Sequence, residues 1–263
     1  MVLELQAGAI VKQQHQDRVN ILAEELEPLA IAAWPARSTL EIGGWLLRFT
    51  DGYSHRGNSV AAVDYEGGDI HAQVALAEIA YFTRGLSPMF QITPVTQPAG
   101  LENMLIERGY VREAPTHVMV TDIDAIKHGG GDAFLSSEPN AAFKSLVLSG
   151  SHSYADGCER LDIVSRIENT RIFATIGGNG EAAACGMCVV SKSWGGINLM
   201  RTKAPLRRKG FAMEILSALA KAAREKGATK LYLQVEDGNS AARALYAKAG
   251  FKDAYTYRFY TAA

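Results

Sequence analysis

Residues 230–251 read KLYLQVEDGNSAARALYAKAGF, and this stretch decides the fold. Leu231, Leu233 and Val235 alternate with polar or amphipathic neighbours, the period of two expected of a strand over 230–235. Asn239 is a helix-capping residue type and Gly250 suits a left-handed helix end, so a helix is expected over 239–249. A second strand is expected over 254–260. Ala242 and Tyr246 lie three and seven residues beyond Asn239, which puts all three on one helical face. Upstream, Arg207-Arg208-Lys209-Gly210-Phe211-Ala212 separates a strand expected at 196–202 from a helix running to 226. The first N–H groups of a helix have no partner inside it, and the helix dipole adds positive charge where Arg207, Arg208 and Lys209 already cluster. Gly210 permits close backbone approach or positive φ, and Ala212 leaves space over the first turn. No Gly-Lys-Ser/Thr and no Gly-x-Gly-x-x-Gly follows, so this is neither a Walker loop nor a dinucleotide fingerprint. Taken alone, the turn reads equally as an anion site or as a basic solvated surface.

The chain has 263 residues, 48% hydrophobic and 21% charged, enough apolar material for a large core and, on our reading, for two domains. Its net charge of −1 supplies no global field toward nucleic acid or an anionic membrane, and neither partner is expected. No apolar run reaches spanning length, and residues 1–10 carry Glu4 without the basic-then-apolar order of a signal peptide, so a soluble cytoplasmic protein is expected. Cys158, Cys185 and Cys188 make no disulfide framework. Cys185 and Cys188 fall on a strand expected at 182–191, where odd spacing places the two thiols on opposite faces. The six histidines are scattered and no His-Glu-x-x-His or Gly-x-Ser-x-Gly occurs, so no metal site and no serine-hydrolase site are expected.

A glycine cluster at 129–131 divides the chain into halves at 1–128 and 132–263, and the halves are alike. Residues 89–92, 101–108 and 116–121 repeat the strand, helix and strand of 230–260. Gly109-Tyr110 answers Gly250-Phe251, and Gln91 answers Gln234. The helix expected at 72–84 before Gly85 answers the helix at 212–226 before Gly227. The halves differ where chemistry would sit. In place of the basic turn the first half has Asp64-Tyr65-Glu66-Gly67-Gly68-Asp69, which would repel a pyrophosphate. In place of Tyr246 it has Leu105, which has no proton to give. The second half is therefore expected to carry any reaction, and the first to act as scaffold, lid or substrate wall.

With turn, strand and helix in this order, the second half resembles the GNAT superfamily of acyl-CoA-dependent N-acyltransferases, closely over about the last 70 residues and loosely over 132–195. The resemblance implies an α/β, mixed α+β fold: two tandem GNAT-like domains, each a mixed, mostly antiparallel twisted sheet flanked by helices, with a degenerate N-terminal copy over 1–128 and an acetyltransferase domain over 132–263. It implies acetyl-CoA as co-substrate and no metal. Backbone groups of Met200 and Thr202 would pair with the pantetheine amides. The N–H groups of Arg207, Arg208, Lys209, Gly210, Phe211 and Ala212, with the Arg207 and Lys209 side chains, would hold the pyrophosphate, and Asn239 would add a contact to the pantetheine arm. Direct transfer to a primary amine is implied, with a strand N–H near Met200 facing the oxyanion and Tyr246 protonating the thiolate.

The general base is left open among Gln234 with a water, Glu236, Glu168, Asp162 and His152. Arg208 departs from the family pattern, in which glycine is common, and the loop tolerates it if its φ is negative. Arg201 and Lys203 either assist the adenosine phosphate or are surface residues. The acceptor is a small-molecule or peptide amine, with a pocket drawn from 132–195 and 50–58 and with Tyr53, Tyr154 and Trp194 as candidate linings. The oligomeric state is open, a homodimer being one option. A non-catalytic acyl-CoA sensor or scaffold is the alternative, and the proton donor at Tyr246 argues against it.

Overall fold

The computed structural model describes residues 2–127, 133–177 and 182–262, with the side chains of 2–11 left aside. The glycine linker expected at 129–131 lies outside these residues. A long helix, α1 (Val2–Ala32), opens the chain. The first half continues through β1 (Ser38–Ile42), β2 (Trp45–Phe49), β3 (Val60–Ala61), α2 (Ile70–Phe82), β4 (Met89–Ile92), α3 (Leu101–Glu107), β5 (Val111–Arg112) and β6 (Thr116–Asp122). The second half contains β7 (Phe134–Ser136), α4 (Ala141–Ser149), α5 (Tyr154–Ser165), β8 (Thr170–Ile176), β9 (Ala184–Ser191), β10 (Trp194–Thr202), α6 (Phe211–Glu225), β11 (Lys230–Glu236), α7 (Ser240–Lys248) and β12 (Lys252–Thr261). None of the described helices is long and apolar enough to cross a membrane.

The strands join in one twelve-stranded sheet in the order β1-β2-β3-β4-β12-β6-β11-β10-β9-β8-β7, with β5 also on β12. Each half contains an antiparallel three-strand run (β1-β2-β3 and β8-β9-β10) whose last strand lies parallel to the next (β4 or β11). The final strands are traded. In the first half β4 pairs not with β6 but with β12, while β11 of the second half pairs with β6 along Lys230↔Asp122 to Glu236↔Thr116. The antiparallel seam between β6 and β12, from Lys252↔Val120 to Tyr257↔Thr116, joins the two sheets into one.

Alternation along each strand sends side chains to two layers. On one face Ile197, Leu231, Leu233 and Val235 pack with Ile215, Leu216 and Leu219 of α6 and with Tyr246 of α7. On the other, Met187, Val189 and Leu199 meet Phe143, Leu146 and Val147 of α4 and Ile163 of α5. Cys188 belongs to the first layer and Cys185 to the second, as their odd spacing requires. Burial pushes both thiols up to about 12, which keeps them protonated and unreactive at neutral pH.

Helix α1 is the element that the sequence conceals. Pro28 lies within it and reads as a breaker, and residues 12–18 are exposed and largely polar. Its last turns are nevertheless fixed from outside, because Ala23, Leu26 and Ala30 pack on Trp194, Tyr232, Tyr255 and Phe259 beside the seam. Glu27 goes into that layer with partners, accepting from Tyr255 Oη at 2.7 Å and from Gln91 Nε2 at 3.0 Å.

Candidate active site

The parallel ladder between β10 and β11 runs from Trp194↔Lys230 to Ile197↔Leu233 and stops. At the same level β10 loses register with β9 between Asn198 and Arg201, and Leu199 takes φ +51°. A bulge bends a strand away from its neighbour, so β10 and β11 part and the edge of β10 from Asn198 onward faces no strand. Into the gap opens a cavity of about 720 Å³. Its sides are residues 197–201 of β10 and 234–236 of β11, with Asn239, Ala242 and Tyr246 from α7 over them. The bulge had no signal in the sequence, since glycine is the usual mark of a left-handed residue and Leu199 is not one.

Beyond the end of β10 a single 3₁₀ turn, Ala204–Leu206, leads to the basic turn. Arg207, Arg208, Lys209 and Gly210 are exposed, and α6 starts at Phe211 with Gly210 as its cap at φ +91°. The N–H groups of Met213 and Glu214 both return to the carbonyl of Gly210, leaving those of Phe211 and Ala212 at the free helix end. A Cβ on Gly210 would meet nothing nearer than Glu214 Oε1 at 3.7 Å, so the backbone there is open to a ligand. Arg208 corrects the condition placed on it, since its φ is +63° and not negative. A non-glycine residue there costs on the order of 1–2 kcal/mol, and the fold supports it without a glycine. Neither this turn nor Thr202 lines the cavity; they follow the lining residues Met200 and Arg201 along the chain.

Helix α7 is capped by Asn239, whose Oδ1 accepts from Ala242 N–H at 3.2 Å. Tyr246 is buried, its ring edge-on to Phe251 with centroids 5.8 Å apart, and still reaches the cavity. Burial pushes its phenol up to about 12 while Arg201 pulls slightly the other way, so it stays protonated at neutral pH. In the first half the same places are closed. Leu105 is a core residue, and Asp69 Oδ1 accepts from His71 N–H at 2.9 Å, so the N-terminus of α2 is filled by its own chain.

A further part of the lining comes from the first half, in which the sequence points only to the 50–58 loop. Tyr53, Ser54, His55 and Arg56 line the cavity from that loop, joined by Glu113 and Thr116. The loop is tied to α5 by Glu159, a buried carboxylate that accepts from Thr50 Oγ1 at 2.9 Å, Tyr53 N–H at 3.0 Å and Ser54 N–H at 2.7 Å. Glu159→Ala leaves the N–H groups of Tyr53 and Ser54 without this acceptor, an expected loss of about 2 kcal/mol. A thermal melt should register this as a drop of roughly 4–8 °C; an unchanged melting temperature would show that the loop is held by something else.

Of the other aromatic candidates, Trp194 is core, donating to Glu25 Oε1 at 2.8 Å, and Tyr154 is exposed away from the cavity. Among the base candidates, Gln234, Glu236 and His152 reach the cavity. Gln234 Oε1 is held by Tyr257 Oη at 2.7 Å. Glu168 does not reach it. Asp162 is engaged by Arg37 and Arg166 on the outside, which hold its carboxyl below the usual range. Arg201 lines the cavity, half-buried, and is not part of the basic turn. Among the described residues no group of three or more His, Cys, Asp or Glu is placed to hold a metal ion.

Residues 23–260 match the family described as "Probable histone acetyltransferase Rv0428c C-terminal". The chain is 29% identical over 236 residues to the Bacillus subtilis (strain 168) protein "Uncharacterized N-acetyltransferase YobR", a similarity that covers 86% of this chain and 93% of the other. Two solved structures share the fold across nearly their whole length. The GCN5-related N-acetyltransferase from Kribbella flavida superposes with a TM-score of 0.66 at 12% identity, covering 93% of this chain and 95% of that one. The tandem GNAT protein from the clavulanic acid biosynthesis pathway gives 0.62 at 13% identity, covering 95% and 94%. With the parted strands, the glycine-started helix and the family match in agreement, the chain belongs to the Rv0428c C-terminal family of GNAT-type N-acetyltransferases.

Proposed function

We propose that the enzyme transfers an acetyl group from acetyl-CoA directly to a primary amine, with Tyr246 as the acid that meets the departing thiolate. The observation that carries this reading is the parting of β10 and β11 just after Ile197↔Leu233, because it leaves a strand edge facing a cavity that also contains a buried, protonated phenol. An extended arm with amide groups can pair with that edge at Met200 and Thr202 as an added strand. Its pyrophosphate then reaches the N–H groups of 208–212, that of Arg207 being turned to the carbonyl of Ala204, and the side chains of Arg207 and Lys209. Asn239, already the cap of α7, faces the same arm.

At the reacting end the amine nitrogen bonds to the thioester carbonyl carbon, an N–H near Met200 faces the oxyanion, and the C–S bond breaks. The nitrogen's proton leaves to water or to a base at the Gln234 and Glu236 edge, and Tyr246 gives its own to sulfur. Burial raises the phenol, but it raises a thiolate in the same cavity too, so the transfer stays near balance. On this reading residues 132–263 hold the donor and perform the chemistry, and residues 1–128 supply β6 and one wall.

Free thiol released from acetyl-CoA in the presence of amines tests the reaction; CoA binding with no turnover on any amine would sink it. For the donor site, Arg207→Glu with Lys209→Glu should raise KM for acetyl-CoA about 10–100-fold, the worth of one charged hydrogen bond. KM for the amine should not move, and the effect should shrink with salt because both side chains are exposed. An unchanged KM for acetyl-CoA would place the pyrophosphate elsewhere.

A further inference from the structure

Three arginines and three carboxylates line the cavity, the carboxylates being Glu113, Asp156 and Glu236. Arg56 from the first-half loop, Arg160 from α5 and Arg201 from the end of β10 all line it. One of them is neutralised, since Arg160 Nε lies 2.7 Å from Asp156 Oδ1. The other two have no carboxylate within ion-pair distance among the described residues. Arg56 donates from Nη1 to Asn198 Oδ1 at 3.2 Å and lies 4.5 Å over the ring of Trp34. Arg201 donates from Nη1 to the carbonyl of Met200 at 3.3 Å, while its Nε is sealed from solvent with no partner. Gly150 leaves it room, as a Cβ there would sit 3.1 Å from Arg201 Cδ.

The carboxylates that line the cavity lie beyond ion-pair distance of Arg56 and Arg201. Glu113 is 3.3 Å from His55 Nδ1 and accepts from Thr261 Oγ1, and Glu236 is exposed. Burial lowers both guanidinium pKa values and the charge of Arg160 pushes them the same way, while Glu236 opposes the shift of Arg56 and Asp156 that of Arg201. A buried charge without a counter-charge costs several kcal/mol. Two part-buried guanidiniums without an ion-pair partner, reaching one cavity from two different elements, make sense where an incoming anion relieves part of that cost.

We propose that the acceptor amine also carries a carboxylate, received by Arg56 and Arg201, so that the substrate class is a small amino acid and not a plain polyamine or a basic peptide. The proposal rests on the reading that this cavity is where amine meets thioester. The planar fork of a guanidinium matches a carboxylate with two parallel N–H donors. The same two charges disfavour a second ammonium and lower the pKa of the acceptor's own, which helps to free its lone pair. A lysine-rich tail meets like charge at Arg56 and Arg201.

The test uses the full chain. Thiol release from acetyl-CoA is measured with the protein amino acids and their C-terminal amides, with O-phosphoethanolamine and ethanolamine, and with a histone-tail peptide. Calorimetry of the same acids and amides is run on the CoA-bound protein. We expect at least one acid to exceed its amide about 100-fold in kcat/KM, the worth of a charged pair. Arg56→Gln and Arg201→Gln should each raise KM for that acid about 10–100-fold without moving KM for acetyl-CoA, and Arg56→Lys should recover part of the loss.

Amides, ethanolamine or the histone peptide working as well as the acids overturns the proposal. So does a preference for O-phosphoethanolamine over every acid, and so does a rise in KM for acetyl-CoA in the arginine variants. Acids that bind at least tenfold more tightly than their amides yet are not acetylated would sustain the anion site and sink the transfer reaction. Neutral amines acetylated with no tighter binding of acids would do the reverse.

Discussion

Residues 132–263 expressed alone are expected not to fold, although they contain every residue assigned here to the donor site. In the whole chain β11 has β6 on its free edge along seven residue pairs, and β12 has neighbours on both sides, β4 and β6, all of them from the first half. Without residues 1–128 the strand β12 has no ladder at all. The buried rings of Trp194, Tyr232, Tyr255, Tyr257 and Phe259 also lose α1. At about 2 kcal/mol for each large side chain returned to water, the loss is on the order of 10 kcal/mol, which matches the whole stability of a typical domain. A fragment with native near-ultraviolet circular dichroism and a cooperative thermal transition would refute the expectation. Residues 1–128 and 132–263 produced together should instead associate and regain both, because each contains the strand that the other lacks.

Tyr246→Phe should lower kcat by about 10²–10⁴, the usual worth of a positioned acid, with KM for acetyl-CoA and the melting temperature unchanged. The ring's place beside Phe251 is kept by phenylalanine. Only the hydroxyl goes, so a stability change is not expected to confuse the reading. Because burial pushes the phenol from 10.0 to about 12, the wild-type kcat should show no fall from loss of this proton as pH rises toward 10.0. Turnover that survives the substitution would remove Tyr246 from the reaction and leave the thiolate to be protonated by solvent.

Local pattern made the second half's elements readable. Period-two alternation marked β11, an asparagine cap and a following glycine bounded α7, and the basic turn sat at the start of α6 as a free helix end predicts. Those signals act within a few residues. What stayed hidden depends on contacts between distant segments. Leu199 gives no local hint of a bulge, and Pro28 speaks against a helix that only the sheet beneath it makes stable. Arg56, Arg160 and Arg201 are ordinary arginines until three separate segments bring them to one cavity. The trading of β6 and β12 is invisible for the same reason, since each strand has the same alternation whichever sheet receives it.

That trade has a bearing on the chain's history. The first half has an acidic turn and Leu105 where the second has its basic turn and Tyr246. Any shortening that removes β6 strips β11 and β12 of a neighbour, so a selection for foldability would retain the first half whatever it contributes to activity. The first half persists as a tenant that cannot be evicted without bringing down the house.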